Sequence, residues 1–133
     1  KRGEWGTELK NFACSMEQVE ANARAVGLVE GEYELVKGWF CDTAPVIAER
    51  FKETGISLLR LDGDLYESTM DCLERLIPVV NEYCMVIIDD YYSGWSGCPQ
   101  AVHEYLAKTR RPCLIDRVSK FGGAWFLLRP PNA

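Results

Sequence analysis

Apolar positions recur along this chain with two periods that take turns. From Ser15, Met16, Val19, Ala23 and Val26 fall on one helical face. Ser15-Met-Glu-Gln18 has the form of a capping box, so a helix is predicted here, ending at Gly27. Residues 1–14 show no clear period and read as loop. "EYELVKGWF" predicts a strand from Glu34 to Lys37, closed by Gly38. A helix is expected from about Ala44 to Glu53, with Pro45 in the first turn, where its missing N–H costs nothing. "ISLLRLD", Ile56 to Asp62, reads as a strand. Ser68-Thr-Met-Asp71 is a second capping-box pattern, predicting a helix with Met70, Leu73 and Ile77 on one side. Pro78 fits only near that helix's end or at a kink. "CMVIID", Cys84 to Asp89, is a continuous apolar run, the mark of a strand buried on both faces. A helix from about Pro99 to Lys108 comes next. "CLIDRV" and "GAWFLLR" predict two final strands, joined as a hairpin through Ser119 to Gly122.

Strands that alternate with helices form a mostly parallel sheet with helices on both faces, here with a C-terminal antiparallel hairpin. The expected class is therefore α/β, with residues 1–133 as one domain whose core runs over 15–133. In such sheets ligands gather at the carboxyl ends of the strands. The strand at Glu34 either pairs directly with "ISLLRLD" or leaves an exposed edge through which a second copy would associate as a homo-oligomer.

The totals narrow the function. The chain has 133 residues, long enough to bury a core without covalent staples. A net charge of -5 argues against nucleic-acid or anionic-membrane partners, which need a basic face. No apolar run approaches the roughly 20 residues of a membrane span. The basic start "KRGEWGTELK" has no apolar stretch behind it, so no secretory signal is read. Six cysteines, at 14, 41, 72, 84, 98 and 113, form no C-x-x-C pair, and His103 is the single histidine. That spacing does not suit zinc. Free thiols in a reducing, cytoplasmic setting are the expectation.

The candidate chemistry lies in four acids. "LLRLDGDLYEST" ends its apolar run in Asp62 and Asp64, and "VIIDDYYSGW" ends its own in Asp89 and Asp90. If these two strands are neighbours, their ends lie about 4.8 Å apart and Asp62, Asp89 and Asp90 converge. Carboxylates that close repel unless a cation sits among them or one holds a proton. All-oxygen donors favour a hard ion, Mg²⁺, Ca²⁺ or Mn²⁺. The competing reading is that the acids are helix caps or loop residues that merely end the strands. Asp64 is expected to point away, as a turn or supporting residue. Tyr91, Tyr92 and Trp95 come after the acids in a loop, open to either acceptor contact or loop packing. Trp125 is expected in the core.

"LRLDGDLYESTMDCLERL" followed by "VIIDDY" closely resembles the macrocin O-methyltransferase family, which methylates sugar hydroxyls of macrolide and related antibiotics. "GWFCDTAP" and "SMEQVEANARAVGL" are similar to the family's preceding segments, and the likeness runs from about Ser15 to Val102. The resemblance implies a Rossmann-like class I methyltransferase fold with strand order 3-2-1-4-5-7-6. It implies S-adenosylmethionine as donor and Mg²⁺ held by Asp62, Asp89 and Asp90. The acceptor would be a small hydroxylated molecule, a sugar or polyhydroxyl compound. Gly38, Trp39 and Phe40 would lie beside the donor's adenine. The general base is open between Asp62 and His103.

The family fold begins with a strand and a glycine-rich turn for the donor, then a second strand ending in an acid. "KRGEWGTELKNF" has Gly3 and Gly6 but no strand before them, so the fold is expected to be truncated. Two functions remain in view: a Mg²⁺-dependent O-methyltransferase, or a truncated, non-catalytic domain that serves as a metal-binding or protein-interaction module.

Overall fold

The computed structural model describes residues 14–92, 97–111, 114–118 and 123–127. The chain divides into two compact units, residues 1–37 and 38–133.

In the first unit, helix α1 spans Met16–Ala25. The Ser15 hydroxyl accepts the Gln18 N–H at 3.2 Å, the capping bond that the sequence promised. At the other end Gly27 adopts a φ of +90°, and the Leu28 N–H returns to the Ala23 carbonyl at 3.0 Å. No residue of α1 is buried. The strand expected at Glu34 to Lys37 does not form: residues 33–37 have no regular secondary structure. A strand is defined by the partner that takes its backbone hydrogen bonds, and no ladder reaches this segment among the described residues.

The second unit runs α2 (Phe40–Phe51), β1 (Ile56–Leu61), α3 (Tyr66–Leu76), a 3₁₀ turn (Ile77–Val79), β2 (Val80–Ile88), α4 (Cys98–Thr109), β3 (Asp116–Arg117) and β4 (Ala124–Leu127). Helix α2 starts a turn earlier than expected, so Pro45 lies inside it. Its start is fixed by the Trp39 carbonyl, which accepts the Thr43 N–H at 2.9 Å and the Thr43 hydroxyl at 3.0 Å. Helix α3 also starts early, at Tyr66, and Ser68 sits within it without serving as its cap. Pro78 falls in the 3₁₀ turn that ends this helix, where it breaks no long helical run.

The sheet order is β1-β2-β4-β3. β1 and β2 are parallel, while β4 is antiparallel to both β2 and β3. The expectation of a mostly parallel sheet is corrected to a mixed one, because β4 doubles back and inserts beside β2. The hairpin is present, and its turn at 119–122 lies outside the described residues. β1 is an edge strand among those described.

One face of this sheet is the core. Leu59, Leu61, Cys84, Val86, Ile88, Ala124 and Phe126 are buried together with Ala44, Leu73, Leu76, Val102 and Tyr105 of the helices. Helix α3 packs between α2 and α4. The other face carries Leu58, Arg60 and Met85, all exposed. Trp125, expected in the core, is half-buried. Among the described residues no helix is long and apolar enough to cross a membrane.

Candidate functional site

β1 and β2 run side by side with Leu61 opposite Ile88, so both end at the same level. The Asp89 N–H donates to the Leu61 carbonyl at 2.9 Å, extending the pairing one residue past the strands. Each strand then runs straight into an acid. One carboxylate oxygen from each of Asp62, Asp89 and Asp90 lies within 4.8 Å of the others. Strand alternation explains two of the three positions: Asp62 continues the exposed row Leu58, Arg60, and Asp89 continues the row of Met85 and Ile87.

Asp64 departs from expectation. It does not turn away: its carboxyl hydrogen-bonds with that of Asp90. That bond is the largest cause holding the Asp90 pKa up, at about 7, with burial and the charges of Asp64, Asp62 and Asp89 adding to it. Asp90 keeps its proton to higher pH beside that second carboxyl group and in partial burial, because like charges in contact repel. The backbone places Asp64 there. Its φ is +55°, and its carbonyl accepts the Gly97 N–H at 3.1 Å and the Cys98 thiol at 3.3 Å. The Thr69 hydroxyl donates in turn to the Cys98 sulfur at 3.1 Å. Gly97 has no substitute here, since a β-carbon would meet the Tyr66 backbone nitrogen at 2.5 Å. The start of α4 thus clamps the acid loop to the start of α3.

Arg60 was not singled out by the sequence pattern. Its Nη2 lies 3.0 Å from Asp62 Oδ2 and 2.8 Å from Asp89 Oδ1. The signal was available: a residue two before Asp62 on a strand shares its face.

The corner Gly38-Trp39-Phe40 adjoins this loop. A β-carbon at Gly63 would lie 3.3 Å from the Phe40 ring, so Phe40 packs beside the residue between Asp62 and Asp64. Trp39 is 65% exposed, an aromatic face open to solvent. Gly38 has a φ of +155°, and a β-carbon there would meet the Thr43 methyl at 2.7 Å.

The aromatic residues after Asp90 divide. Tyr91 is buried in the core, with its hydroxyl 2.7 Å from His103 Nε2. His103 is therefore engaged with Tyr91. Tyr92 is exposed, packs edge-on against Tyr91 and lies beneath the Arg117 guanidinium, 4.3 Å from the ring centre. Trp95 lies outside the described residues. Cys72, Cys84 and Cys98 are buried free thiols, and burial pushes the Cys72 thiol up to about 12. Cys113 lies outside the described residues.

Comparison with known proteins identifies the family. The family model described as macrocin-O-methyltransferase (TylF) matches residues 2–126. The chain is 40% identical over 115 residues to the 8-demethyl-8-(2,3-dimethoxy-alpha-L-rhamnosyl)-tetracenomycin-C 4'-O-methyltransferase of Streptomyces olivaceus, covering 86% of this chain and 41% of that protein. It is 42% identical over 97 residues to the demethyldecarbamoylnovobiocin O-methyltransferase of Streptomyces niveus, covering 73% of this chain and 35% of that protein. The solved structure of the O-methyltransferase NovP matches with a TM-score of 0.78 at 32% identity, covering 98% of this chain and 53% of that one. The chain therefore spans about half or less of the length of these relatives.

Proposed function

The chain belongs to the macrocin-O-methyltransferase family, and from that premise we propose that it takes part in S-adenosylmethionine-dependent O-methylation of a sugar or similar polyhydroxyl acceptor, with Mg²⁺ held by Asp62, Asp89 and Asp90. The carrying observation is the convergence of three carboxylate oxygens within 4.8 Å at the ends of two adjacent parallel strands. The donor set fits a hard cation, being all oxygen and strongly negative. The raised Asp90 pKa comes first from its hydrogen bond with Asp64 and from burial, and the charges of Asp64, Asp62 and Asp89 that add to it are the part a cation would relieve. The wider fold we infer is a Rossmann-like class I methyltransferase. In support, the order β1-β2-β4-β3 equals the last four strands, 4-5-7-6, of the order expected for that fold.

Methyl transfer is an in-line displacement at carbon by an oxygen nucleophile, and a sugar hydroxyl at neutral pH is a poor one. Held by Asp62, Asp89 and Asp90, a Mg²⁺ would supply positive charge beside the acceptor hydroxyl and lower its pKa. The protein's own residues do the rest. The Asp62 carboxylate accepts the hydroxyl proton. Trp39 and Phe40 offer the adenine of the donor an aromatic corner next to the acid loop, and Gly38 lets the chain turn into α2 there. Tyr92, exposed beside the acids, offers a face to the acceptor ring. Trp95 is assigned the same role from its place in the sequence. Tyr91 holds the loop from inside the core.

Calorimetric titration of S-adenosylmethionine, with and without Mg²⁺, tests the donor half of this reading. Micromolar binding supports it. Asp62→Ala and Asp90→Ala test the other half: each should abolish methyl transfer while leaving the far-ultraviolet circular dichroism unchanged. Full activity in both variants would sink the metal-assisted mechanism.

A second reading draws on the edge position of β1 and on the exposed apolar side chains of the open face. It is a non-catalytic metal-binding or protein-interaction module, in which a second copy pairs with that edge. It predicts a dimer by sedimentation, and no donor binding at millimolar concentration.

A further inference from the structure

What fills the proposed metal site before an ion arrives is a separate question, and its answer rests on the metal-site reading. Arg60 and Asp62 share the open face of β1 by strand alternation. One nitrogen, Nη2, makes both contacts, 3.0 Å to Asp62 and 2.8 Å to Asp89. The guanidinium is therefore shared between two carboxylates. It is wedged between two of the three groups that converge here. A cation that took both of these oxygens would compete with Nη2 for them.

We propose that Arg60 is the stand-in cation of the metal-free cluster, an internal competitor that a divalent ion must displace, and that it sets the concentration threshold for metal binding. Nothing among the described residues blocks the displacement. The Arg60 side chain is half exposed on a flexible stem, and its strand neighbour Leu58 on the same face is exposed as well. Its hold is weak, because ion pairs this exposed are screened by water. A dication placed against the carboxylates carries twice its charge at a shorter distance, and a monovalent ion has no such advantage. Arg60 therefore also favours divalent over monovalent ions. Its role is one of positioning and selectivity, since it touches the proposed ligands and no reacting atom.

The test is Mg²⁺ titration by calorimetry into the full chain and into Arg60→Met, which keeps the stem and removes the charge. The variant should bind Mg²⁺ roughly tenfold more tightly, the size expected for losing two exposed ion pairs. Without metal it should melt below the wild type, and saturating Mg²⁺ should close that gap. Equal or weaker Mg²⁺ binding by Arg60→Met, with the wild type still binding, overturns the competition. Absence of Mg²⁺ heat from both proteins at millimolar concentration overturns the metal reading itself, and this inference with it. A measurement on the wild type alone removes dependence on the variant's folding. The Arg60 Nε–H signal in nuclear magnetic resonance should shift and narrow as Mg²⁺ saturates the site, and a signal that does not respond to bound Mg²⁺ overturns the displacement.

Discussion

The two faces of the sheet are made by the same strands and read oppositely. On one face, Leu59, Leu61, Val86, Ile88 and Phe126 interdigitate with three helices and are almost wholly shielded from water. On the other, Leu58 and Met85 stand exposed beside Arg60, and the row leads directly into Asp62 and Asp89. The first face makes the unit fold. The second gives a surface on which charge can gather without the full cost of burying it. Alternation along a strand lets both exist within one residue of each other.

The strongest way to break that contrast is truncation on each face. Phe126→Ala should cost about 3–5 kcal/mol in urea unfolding, through lost contacts and the cavity left behind. Leu58→Ala should stay within about 0.5 kcal/mol. A Leu58→Ala loss that rivals the core truncation would mean that something covers the open face in solution.

A smaller effect sharpens the picture of the acid end. Asp90 has a folded pKa of about 7, above its ordinary 3.8, so the folded chain holds this proton more tightly than the unfolded one. Its contribution to stability is full below the ordinary carboxylate range and is lost as pH rises through about 7. Metal-free wild type should therefore lose melting temperature between about pH 4 and 7 relative to Asp90→Asn, which has no proton to lose. Parallel melting curves for the two proteins across that range would rule out the raised Asp90 pKa. Mg²⁺ should flatten the wild-type slope, because bound metal replaces the proton.

A smaller effect again is expected at the tie between the loop and α4. Tyr91→Phe removes the hydroxyl that meets His103 at 2.7 Å and should cost about 1 kcal/mol. It should leave Mg²⁺ affinity within a few-fold of wild type if the Tyr91 ring, rather than its hydroxyl, holds the loop. A large loss of affinity would instead make that hydrogen bond a determinant of where Asp90 sits.

Much of this was legible from local pattern, because local pattern reports local physics. The Ser15 cap, the Gly27 stop, the strand Ile56–Leu61 and the helix at Cys98–Thr109 come from spacing and end chemistry alone. So does the meeting of Asp62 with Asp89, once two parallel strands are assumed to be neighbours. The failures share a cause too. The strand at Glu34 to Lys37 has the right residues, yet a strand needs a partner, and residue pattern cannot supply one. The capping box at Ser68 does not open its helix: α3 starts two residues earlier, at Tyr66, beside the Asp64 carbonyl that Gly97 and Cys98, far along the chain, bind.

By itself, then, the sequence determined which residues carry charge at the strand ends, and that hard-ion chemistry suits them. Tertiary structure alone decided that Asp64 meets Asp90, that Tyr91 is buried and Tyr92 is not, and that Arg60 lies between two of the acids. Each of these depends on side chains brought together across strands and helices. Such distances are set by packing, which no window along the chain contains.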